Sequence, residues 1–482
     1  MLFNSIDFAI FLPVVFLFYW FVFNKNLKIQ NLFIVASSFL FYAWWDWRFL
    51  FLMIGSASVD FIVGNKLRNQ ESRSIRRIYL ILSLVINLGI LGFFKYFNFF
   101  AQNFVSAFSF FGKSFDLQSL NIILPVGISF YTFQALSYTI DVYRKKLNPT
   151  SSVIDFFAFI SFFPQLVAGP IERATNLLPQ FYKPRSFDYY KGVDGLRQIL
   201  WGLFKKIVIA DTAAEYVNQI FGNYEAYSGS TLALAAFMFA FQIYCDFSGY
   251  SDIAIGTARL FGFDLMRNFS FPYFSRDIAE FWRRWHISLS TWFRDYVYIP
   301  LGGSKVSKGL KVRNTFIIFV LSGFWHGANW TFIAWGLLNA IYFLPLLLYG
   351  KNRTNLDTIA HGKLLPSLNE LTKMIMTFTL TTVAWVFFRS VSIEDSLNYL
   401  AQTFSASFFS LPYFSISQSR YLFFTVFFLF IFIEWYGRER QYALQILGLK
   451  WKQPIRYAFY YFLVLLIFYF GGKEQQFIYF QF

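Results

Sequence analysis

The sequence predicts an all-α, polytopic membrane protein, and three observations support this fold class. Hydrophobic residues make up 57% of the 482 residues and charged residues only 14%, whereas about a quarter of the residues in soluble domains are charged. Several apolar runs of about 17 to 20 residues are each long enough to cross a hydrocarbon core of about 30 Å as a helix. Backbone groups in lipid must form hydrogen bonds within their own segment, so these runs are predicted to be helices.

Clear apolar stretches follow one another along the chain and predict membrane helices at residues 6–23, 31–45, 49–64, 78–97, 121–140, 198–213, 231–248, 314–325, 330–349, 371–388, 420–436 and 456–472. Two weaker stretches, 153–168 and 251–263, are expected to enter the membrane as interfacial or re-entrant helices without crossing it. We therefore expect about 11 to 13 crossings, in a single membrane domain that covers residues 1–482 and has no internal repeat. The first stretch lacks a basic leading region and a small-residue cleavage site, so it is predicted to be a retained helix.

Basic residues set the predicted orientation of these helices. Segments 65–77, 141–146 and 437–456 are rich in Lys and Arg, so they are expected in the cytoplasm, whereas segment 214–230 and the N-terminus are expected outside. The net charge is +16, but no basic domain stands apart from the apolar segments, which argues against a nucleic-acid partner. The single cysteine, Cys245, rules out an intrachain disulfide and a cysteine-rich metal site.

The longest basic interval between predicted crossings, residues 264–313, contains a tryptophan-rich stripe. Its apolar residues recur at spacings of three and four, which predicts one amphipathic helix bearing Ile278, Trp282, Trp285, Leu289 and Trp292 on one face. We expect this helix to lie in the membrane interface, with the tryptophans at headgroup depth and Glu280 and Arg284 on the opposite side. Pro300 and the pair Gly302 and Gly303 predict the turn that ends it.

His326 is the first candidate for chemistry. It lies in LSGFWHGANWTFIAWG, where apolar residues flank it and Gly323 and Gly327 bracket it. An ionisable side chain in the membrane is costly and therefore suggests a function. Burial favours the neutral imidazole, which is able to accept a proton from an attacking hydroxyl or thiol, and the glycines permit close approach of the chain or a substrate. The alternative is a structural histidine bonded between helices.

The other two histidines differ in their surroundings. His286 lies at the edge of the tryptophan stripe, with Arg283 and Ser290 on its side of the predicted helix. It is either a packing residue or a second reactive group, and in the latter case the two histidines would line one cavity from opposite ends. His361 lies in a polar loop and is predicted to be solvated.

A third group of candidates shares one helical face through its spacing of four: Gln242, Asp246 and Tyr250. Asp246 is costly near a membrane segment unless it is paired. It is predicted to orient a helix end or a catalytic histidine. The alternative is a capping site at a helix that ends at Gly249, with Ser251 and Asp252 capping the next helix.

Two further features interrupt apolar runs. Lys205 and Lys206 are predicted to extend to the membrane surface, or alternatively to contact the phosphates of a carrier such as coenzyme A. Segment 164–173, PQLVAGPIER, is expected to be buried in protein or to line a cavity, because irregular backbone cannot face lipid. The sequence has no P-loop, HExxH, dinucleotide-binding or GxSxG motif, so no bound cofactor, no metal and no autonomous serine hydrolase are predicted.

These motifs together resemble those of the membrane-bound O-acyltransferases, in particular the alginate O-acetyltransferase type. The resemblance is carried by residues 244–303, YCDFSGYSDIAIGTARLFGFDLMRNFSFPYFSRDIAEFWRRWHISLSTWFRDYVYIPLGG, and by residues 322–336, SGFWHGANWTFIAWG. PQLVAGPIER, WGLFKKIVIAD and the terminal FIYFQF match as well. The resemblance runs from residue 1 to 482, and its most specific part, 242–336, is the expected catalytic region.

The resemblance implies a ring of tilted helices around a thinned centre, with a tunnel between cytoplasm and exterior. It implies that His326 and His286 are the active-site histidines of an acyltransferase in the bacterial inner membrane. An acyl thioester, expected to be acetyl-CoA, would enter from the cytoplasm, where basic segments attract its phosphates. The acyl group would leave toward an exported polysaccharide such as alginate, with a separate extracytoplasmic SGNH-type protein completing the transfer. The candidates for substrate contact are Trp325, Trp285, Asp246, Gln242, Tyr250, Arg283 and Arg284.

Two other functions compete with this interpretation. One is D-alanyl transfer to teichoic acid, because the donor is not encoded in any motif. The other is a transporter or flippase without bond chemistry, for which internal repeats and paired broken helices are expected but absent from the sequence. A purely structural membrane scaffold would leave the buried histidine unexplained.

Overall fold

The computed structural model describes residues 1–110, 120, 122–167, 169–413, 420–472 and 475–478. Across these ranges the chain forms helices and no β-strand, which confirms the predicted all-α class. Internal contacts divide the chain into two compact units. The first unit comprises Met1–Gly192 and Thr257–Met266, and the second comprises Val193–Gly256 and Arg267–Phe482.

The α-helices follow one another with short connections. In chain order they are α1 Ile6–Leu17, α2 Leu27–Arg68, α3 Arg73–Leu91, α4 Phe97–Phe110, α5 Ile128–Tyr143, α6 Val153–Ser161, α7 Phe163–Leu166, α8 Ala174–Phe181, α9 Tyr189–Leu203, α10 Thr212–Gly222, α11 Gly229–Leu260, α12 Ile278–Arg284, α13 Ile287–Phe293, α14 Lys308–His326, α15 Trp330–Leu348, α16 Leu368–Arg389, α17 Ile393–Thr403, α18 Arg420–Gly437 and α19 Gln453–Phe470. Wider π-helical turns extend four of them, at Phe18–Val22, Gly92–Tyr96, Phe204–Asp211 and Arg294–Tyr298. Short 3₁₀ turns lie at Tyr224–Ala226, Pro272–Phe274 and Ala406–Phe409.

Six helices within the described residues are long and apolar enough to cross a membrane: α2, the run Arg73–Phe108, α11, α15, α16 and α19. Shorter apolar helices occupy Ile6–Val22 and Tyr421–Gly437. The protein is therefore a multi-pass membrane protein. The expected 11 to 13 crossings counted each apolar stretch separately, whereas the structure joins some of them. Stretches 31–45 and 49–64 both lie in α2, on either side of a kink at Asp46.

Buried polar groups in the first unit are paired across helices. The Asp60 carboxylate of α2 accepts hydrogen bonds from Ser83 at 2.5 Å, Asn87 at 2.8 Å and Thr139 at 2.7 Å. Its three partners lie on α3 and α5, so one carboxylate ties three helices together. Such pairing is required because an unpaired buried carboxylate is strongly destabilising.

The first unit also brings two predicted cytoplasmic segments together. The Arg76 guanidinium donates to the carbonyl oxygens of Val142 at 3.2 Å and Tyr143 at 2.7 Å. Basic segments 65–77 and 141–146 therefore lie at the same end of the unit, as their shared orientation requires. The described residues of segment 164–173 are almost all buried within protein, which confirms the prediction for PQLVAGPIER.

The second unit contains a close crossing of α9 and α11. A Cβ on Gly249 would lie 2.8 Å from the carbonyl oxygen of Gly202, and a Cβ on Gly256 would lie 2.5 Å from that of Gly195. Small residues of this kind let helix backbones approach each other in membrane proteins. The predicted helix end at Gly249 is therefore wrong, because the glycine serves packing and α11 continues through it. Ser251 and Asp252 lie inside α11 and do not cap a new helix.

Lys205 and Lys206 are buried, with side chains 3% and 1% exposed. Lys205 Nζ lies 2.6 Å from Asp252, and Lys206 Nζ lies 2.7 Å from Asp211 and 2.8 Å from Asp246. The prediction that both lysines extend to the membrane surface is wrong. Carboxylates on α11 and on the π-helical turn itself stabilise the two ammonium groups, as water would at the surface.

Polar contacts collect at two opposite ends of the second unit. At one end, arginines donate to carbonyl oxygens of neighbouring loops: Arg197 to residues 444–447, Arg283 to residues 352–355 and Arg438 to residues 359–363. At the other end neutral side chains and amides donate: Gln402 to residues 224–227, the Gly229 amide to Ser407 and Asn329 to Val391. The Arg389 side chain also donates to Asn218 there, at 2.8 Å. We call these the basic end and the opposite end.

Replacing Gly249 by alanine is expected to destabilise the second unit, because crowding in a packed contact costs about 1 to 3 kcal/mol. The apparent melting temperature of the detergent-purified protein measures the effect. Gly309→Ala is the matched control, since its new methyl group enters open space on a helix and should leave the melting temperature unchanged or raise it. Equal melting temperatures for Gly249→Ala and the wild type would contradict the close crossing.

Replacing Lys206 by methionine is expected to cost about 3 to 5 kcal/mol, because two buried carboxylates lose the cation that they share. The same change removes the 3.1 Å hydrogen bond from Lys206 Nζ to the carbonyl oxygen of Gln475. Thermal unfolding and limited proteolysis near residue 475 measure the two effects. Lys308→Met, at an exposed position, is the control. If both variants unfold alike, the shared ion pairs do not stabilise the fold.

Candidate active site

The predicted single interfacial helix is broken at Trp285 and His286. Trp285 has extended backbone angles, and His286 has φ 41° and ψ 56°, in the left-handed region. This conformation is uncommon for a residue with a side chain and persists only where the surroundings hold it. It separates α12 from α13. The prediction of one continuous amphipathic helix is therefore wrong.

A neighbouring segment supplies the hydrogen bonds that the break requires. The Ile287 amide donates to the carbonyl oxygen of Asn268 at 2.8 Å, and the Ser270 amide donates to that of Arg284 at 2.9 Å. These bonds satisfy backbone groups that would otherwise be buried without partners. The tryptophan stripe packs inside the protein as a result, with Trp285 and Trp292 only 0% and 6% exposed.

His286 is buried among aromatic rings and one amide. Its Nδ1 lies 3.0 Å from Oδ1 of Asn268. The ring is perpendicular to that of Phe247 at 4.6 Å, and it lies 6.4 Å from that of Phe269 and 6.0 Å from that of Trp325. Burial lowers the pKa of His286 to about 3, because the charged form is poorly solvated there. The imidazole is therefore neutral at physiological pH.

His326 is the last residue of α14 and is 3% exposed. Its ring lies 4.9 Å from that of Trp325, 5.2 Å from that of Trp335 and 5.3 Å from that of Phe388. Since α14 runs from the basic end, where the loop after α15 also lies, its last turn lies toward the opposite end. His326 thus occupies an aromatic environment near that end.

The glycines around His326 allow α14 and α15 to approach each other. A Cβ on Gly323 would overlap the carbonyl oxygen of Phe332, and a Cβ on Gly327 would overlap its ring. The expectation that these glycines permit close approach of the chain is confirmed, because α15 lies directly against them. The tight hairpin fixes the position of the imidazole, because the turn that follows it has no room to shift.

Trp325 contacts both histidine rings, at 6.0 Å from His286 and 4.9 Å from His326. The two histidines therefore border one aromatic cluster, whereas a cavity lined by both of them stays a prediction. The cluster continues through stacked and tilted tryptophans, with ring separations of 5.0 to 5.6 Å among Trp282, Trp285, Trp335 and Trp385.

A polar cavity of about 20 Å³ lies next to the residue that binds His286, with room for about one water molecule. Asn268, the partner of His286, is one of its lining residues, and charged side chains of both signs line it as well: Lys205, Asp252, Arg267 and Glu434. Gln441 and Tyr442 contribute from the basic end. Burial lowers the pKa of Arg267 to about 10, so this guanidinium stays charged at neutral pH. The cavity thus lies between residues of the basic end and Asn268, the partner of His286.

The three candidates on α11 lie near a segment close to the C-terminus. The Asp246 carboxylate pairs with Lys206 and accepts a hydrogen bond from the Ile478 amide at 2.7 Å. The ring of Tyr250 lies 4.4 Å from that of Phe477, and Gln242 is buried one turn before Asp246. The Asp246 carboxylate is therefore paired with a lysine side chain and a backbone amide, as a buried carboxylate requires. Residues 479–482 of the FIYFQF motif lie outside the described residues.

The two candidate arginines hold loops at the basic end. Arg283 donates to the carbonyl oxygens of Asn352 and Asn355, and Arg284 forms an ion pair with Glu280 at 2.8 Å. Glu280 was predicted on the side facing away from the tryptophans, yet it is fully buried, because Arg276 also pairs with it at 3.0 Å. Gly302 and Gly303 have positive φ angles and form the predicted turn.

Sequence analysis did not identify Asn268, Trp335, Trp385 or Phe388 at this site. Asn268 lies in a segment without periodicity, and its contact with His286 exists only because the helix breaks. The aromatic residues lie on α15 and α16 in apolar runs that contain many similar residues. Among the described residues no cluster of three histidine, cysteine or acidic side chains is arranged to hold a metal ion.

Comparison with known proteins identifies the family. Residues 144–379 match the membrane-bound O-acyltransferase family. The peptidoglycan O-acetyltransferase of Helicobacter pylori is 36% identical over 88% of this chain and 83% of its own length. The probable alginate O-acetylase AlgI of Pseudomonas aeruginosa is 38% identical over 84% of this chain and 75% of its own length. A teichoic acid D-alanyltransferase of Streptococcus thermophilus is 31% identical, over 45% of this chain and 55% of its own length. These similarities agree with the helical fold, and they show that the chain is a multi-pass membrane acyltransferase that belongs to the membrane-bound O-acyltransferase family.

Proposed function

We propose that this acyltransferase passes an acetyl group from cytoplasmic acetyl-coenzyme A across the membrane for the O-acetylation of an exported polysaccharide. The observation that carries the proposal is that Trp325 contacts both buried imidazoles, between the basic end and the opposite end of the same unit. The thioester would reach this cluster from one side and the acceptor hydroxyl from the other.

The charge distribution of the second unit supports the direction of transfer. Basic segments of membrane proteins face the cytoplasm, and positive charge attracts the phosphates of coenzyme A. The carrier is too polar to cross lipid, whereas an acetyl group is small. The bulk of the donor would therefore stay at the basic end, and only its thioester-linked acetyl group would reach past His286 and Trp325 to the acceptor hydroxyl.

The chemistry assigned to the site is general-base catalysis. His326 accepts the proton of the acceptor hydroxyl while the hydroxyl oxygen attacks the thioester carbonyl. The C–S bond then breaks, coenzyme A leaves as a thiolate that takes up a proton, and an ester remains on the acceptor. His286 assists the transfer or positions the donor. Both rings lie among aromatic side chains, which favours the neutral imidazole needed at the start.

The extent of alignment with the relatives favours acetyl over D-alanyl as the transferred group. The relatives that are named for O-acetylation align with most of this chain, whereas the D-alanyltransferase aligns with less than half of it. An extracytoplasmic SGNH-type partner would take the acetyl group to the sugar hydroxyl. Trp325, Trp285, Gln242, Asp246 and Tyr250 remain the proposed substrate contacts, together with Arg283 and Arg284 at the basic end.

Replacing His326 by alanine is expected to abolish O-acetylation, because a general base contributes about 10²- to 10⁴-fold to a rate. Membrane insertion should persist, since the helices themselves are unchanged. Mass spectrometry of the exported polysaccharide measures the acetyl content, and membrane fractionation measures insertion. His361→Ala, which removes an exposed loop histidine, is the control and should retain acetylation. Polysaccharide still acetylated by the His326→Ala strain would contradict the assigned role.

Purified protein in proteoliposomes is expected to release free coenzyme A from acetyl-CoA when an acceptor is present. The released thiol is measured with a chromogenic disulfide, and a D-alanyl thioester carrier is tested in parallel. Thiol release from acetyl-CoA, with no release from the D-alanyl thioester, would support acetyl transfer. Consumption of the D-alanyl thioester instead would favour cell-wall alanylation, and transport of substrate with neither thioester cleaved would favour a transporter.

A further inference from the structure

We propose that Asn268 is a positioning residue that fixes the tautomer of His286, with the proton on Nδ1 and the lone pair on Nε2. The proposal deepens the function assigned above, because it names which nitrogen of this imidazole is able to accept a proton. The contacts of Asn268 support it.

Asn268 makes four side-chain contacts and is fully buried. Its Oδ1 lies 3.0 Å from His286 Nδ1, 2.9 Å from the Ser288 hydroxyl and 3.4 Å from the Ser288 amide nitrogen. Its Nδ2 donates to the Ser251 hydroxyl at 3.0 Å. A buried amide with this many partners has a single favourable orientation, because rotation by 180° would exchange its donor and acceptor atoms.

The Ser288 backbone amide decides that orientation. A backbone N–H can only donate, so the atom of Asn268 that faces it must be the carbonyl oxygen. The same oxygen faces His286 Nδ1, and an oxygen without a hydrogen can only accept. His286 Nδ1 must therefore carry the proton, and in a neutral ring Nε2 then carries the lone pair.

The backbone of Asn268 also binds this segment, at the residue between His286 and Ser288. Its carbonyl oxygen accepts the Ile287 amide at 2.8 Å, immediately after the left-handed His286. One residue thus binds His286 and Ser288 through its side chain and Ile287 through its backbone. The break between α12 and α13 and the orientation of the imidazole depend on the same residue.

The tautomer matters because the two nitrogens have opposite roles. A free imidazole favours the proton on Nε2, so Asn268 reverses the intrinsic preference of the ring. The amide also separates the ring from the polar cavity, since Asn268 and its partner Ser251 both line that cavity. Without the amide, Nε2 would carry the proton, and His286 would be unable to assist His326 by accepting a proton at that nitrogen.

Nitrogen-15 NMR of the intact protein tests the tautomer directly. The chain has only three histidines, so ring-labelled histidine gives a small set of signals, and His361→Asn and His326→Gln assign two of the three rings. The wild-type protein in nanodiscs should show His286 with a protonated Nδ1 and an unprotonated Nε2. A neutral His286 protonated on Nε2 would overturn the proposal, whatever the activity of the protein.

Substitutions of Asn268 test whether this residue sets the tautomer. Asn268→Leu, which keeps the volume and removes the acceptor, should let the proton move to Nε2 and slow acetyl transfer at least about ten-fold, since part of the base contribution is lost. Asn268→Asp keeps an acceptor oxygen and should retain the proton on Nδ1. An unchanged His286 spectrum in Asn268→Leu would overturn the proposal.

Asn314→Leu is the matched control. It also removes a buried asparagine from the second unit, where Asn314 donates to the carbonyl oxygen of Leu301 at 3.0 Å. It should lower stability without changing the His286 spectrum, and a changed spectrum would overturn the proposal by showing a general effect of buried amides. Absence of acetyl transfer by the wild type would defeat the proposed function, but the tautomer measurement would still stand.

Discussion

The structure depends on the requirement that charged side chains and backbone groups removed from water find partners inside the protein. Lys206 is paired with two carboxylates, Lys205 with a third, and Glu280 with two arginines. The pairs of Lys205 with Asp252 and of Lys206 with Asp246 join the π-helical turn after α9 to α11, whereas the partners of Glu280 lie four residues away on either side. Asp246 reaches both the π-helical turn after α9 and the amide of Ile478. Removing either partner would leave a buried charge, so the pairings fix the arrangement of the second unit.

The same requirement explains how a broken helix is tolerated beside the two histidines. Residues 268–270 replace the missing helical hydrogen bonds with hydrogen bonds of their own. The break turns the imidazole of His286 inward, while the glycine-dependent hairpin of α14 and α15 holds that of His326. Both rings then border Trp325. An aromatic environment solvates charge poorly, so burial keeps the imidazole of His286 neutral.

Membership in the membrane-bound O-acyltransferase family connects this geometry to acyl transfer. Arginines hold the loops at the basic end of the second unit, neutral groups donate at its opposite end, and the histidines lie between them. In the proposed reaction, a polyanionic carrier and an exported acceptor need not share a compartment, because only the acyl group would pass. The protein would then move neither large substrate.

The sequence by itself determined the helical membrane class, the two histidine motifs, the turn at Gly302 and Gly303 and the burial of PQLVAGPIER. These features follow from local composition and spacing, which record how much of each segment avoids water. Only the tertiary structure decided that α11 runs through Gly249, that Lys205 and Lys206 are buried, and that the helix breaks at His286. Each of these outcomes depends on a partner elsewhere in the chain: Gly202, a carboxylate on α11 or the amide of Asn268. Periodicity indicates which face of a segment is buried, but it contains no information about which distant group will pair with it.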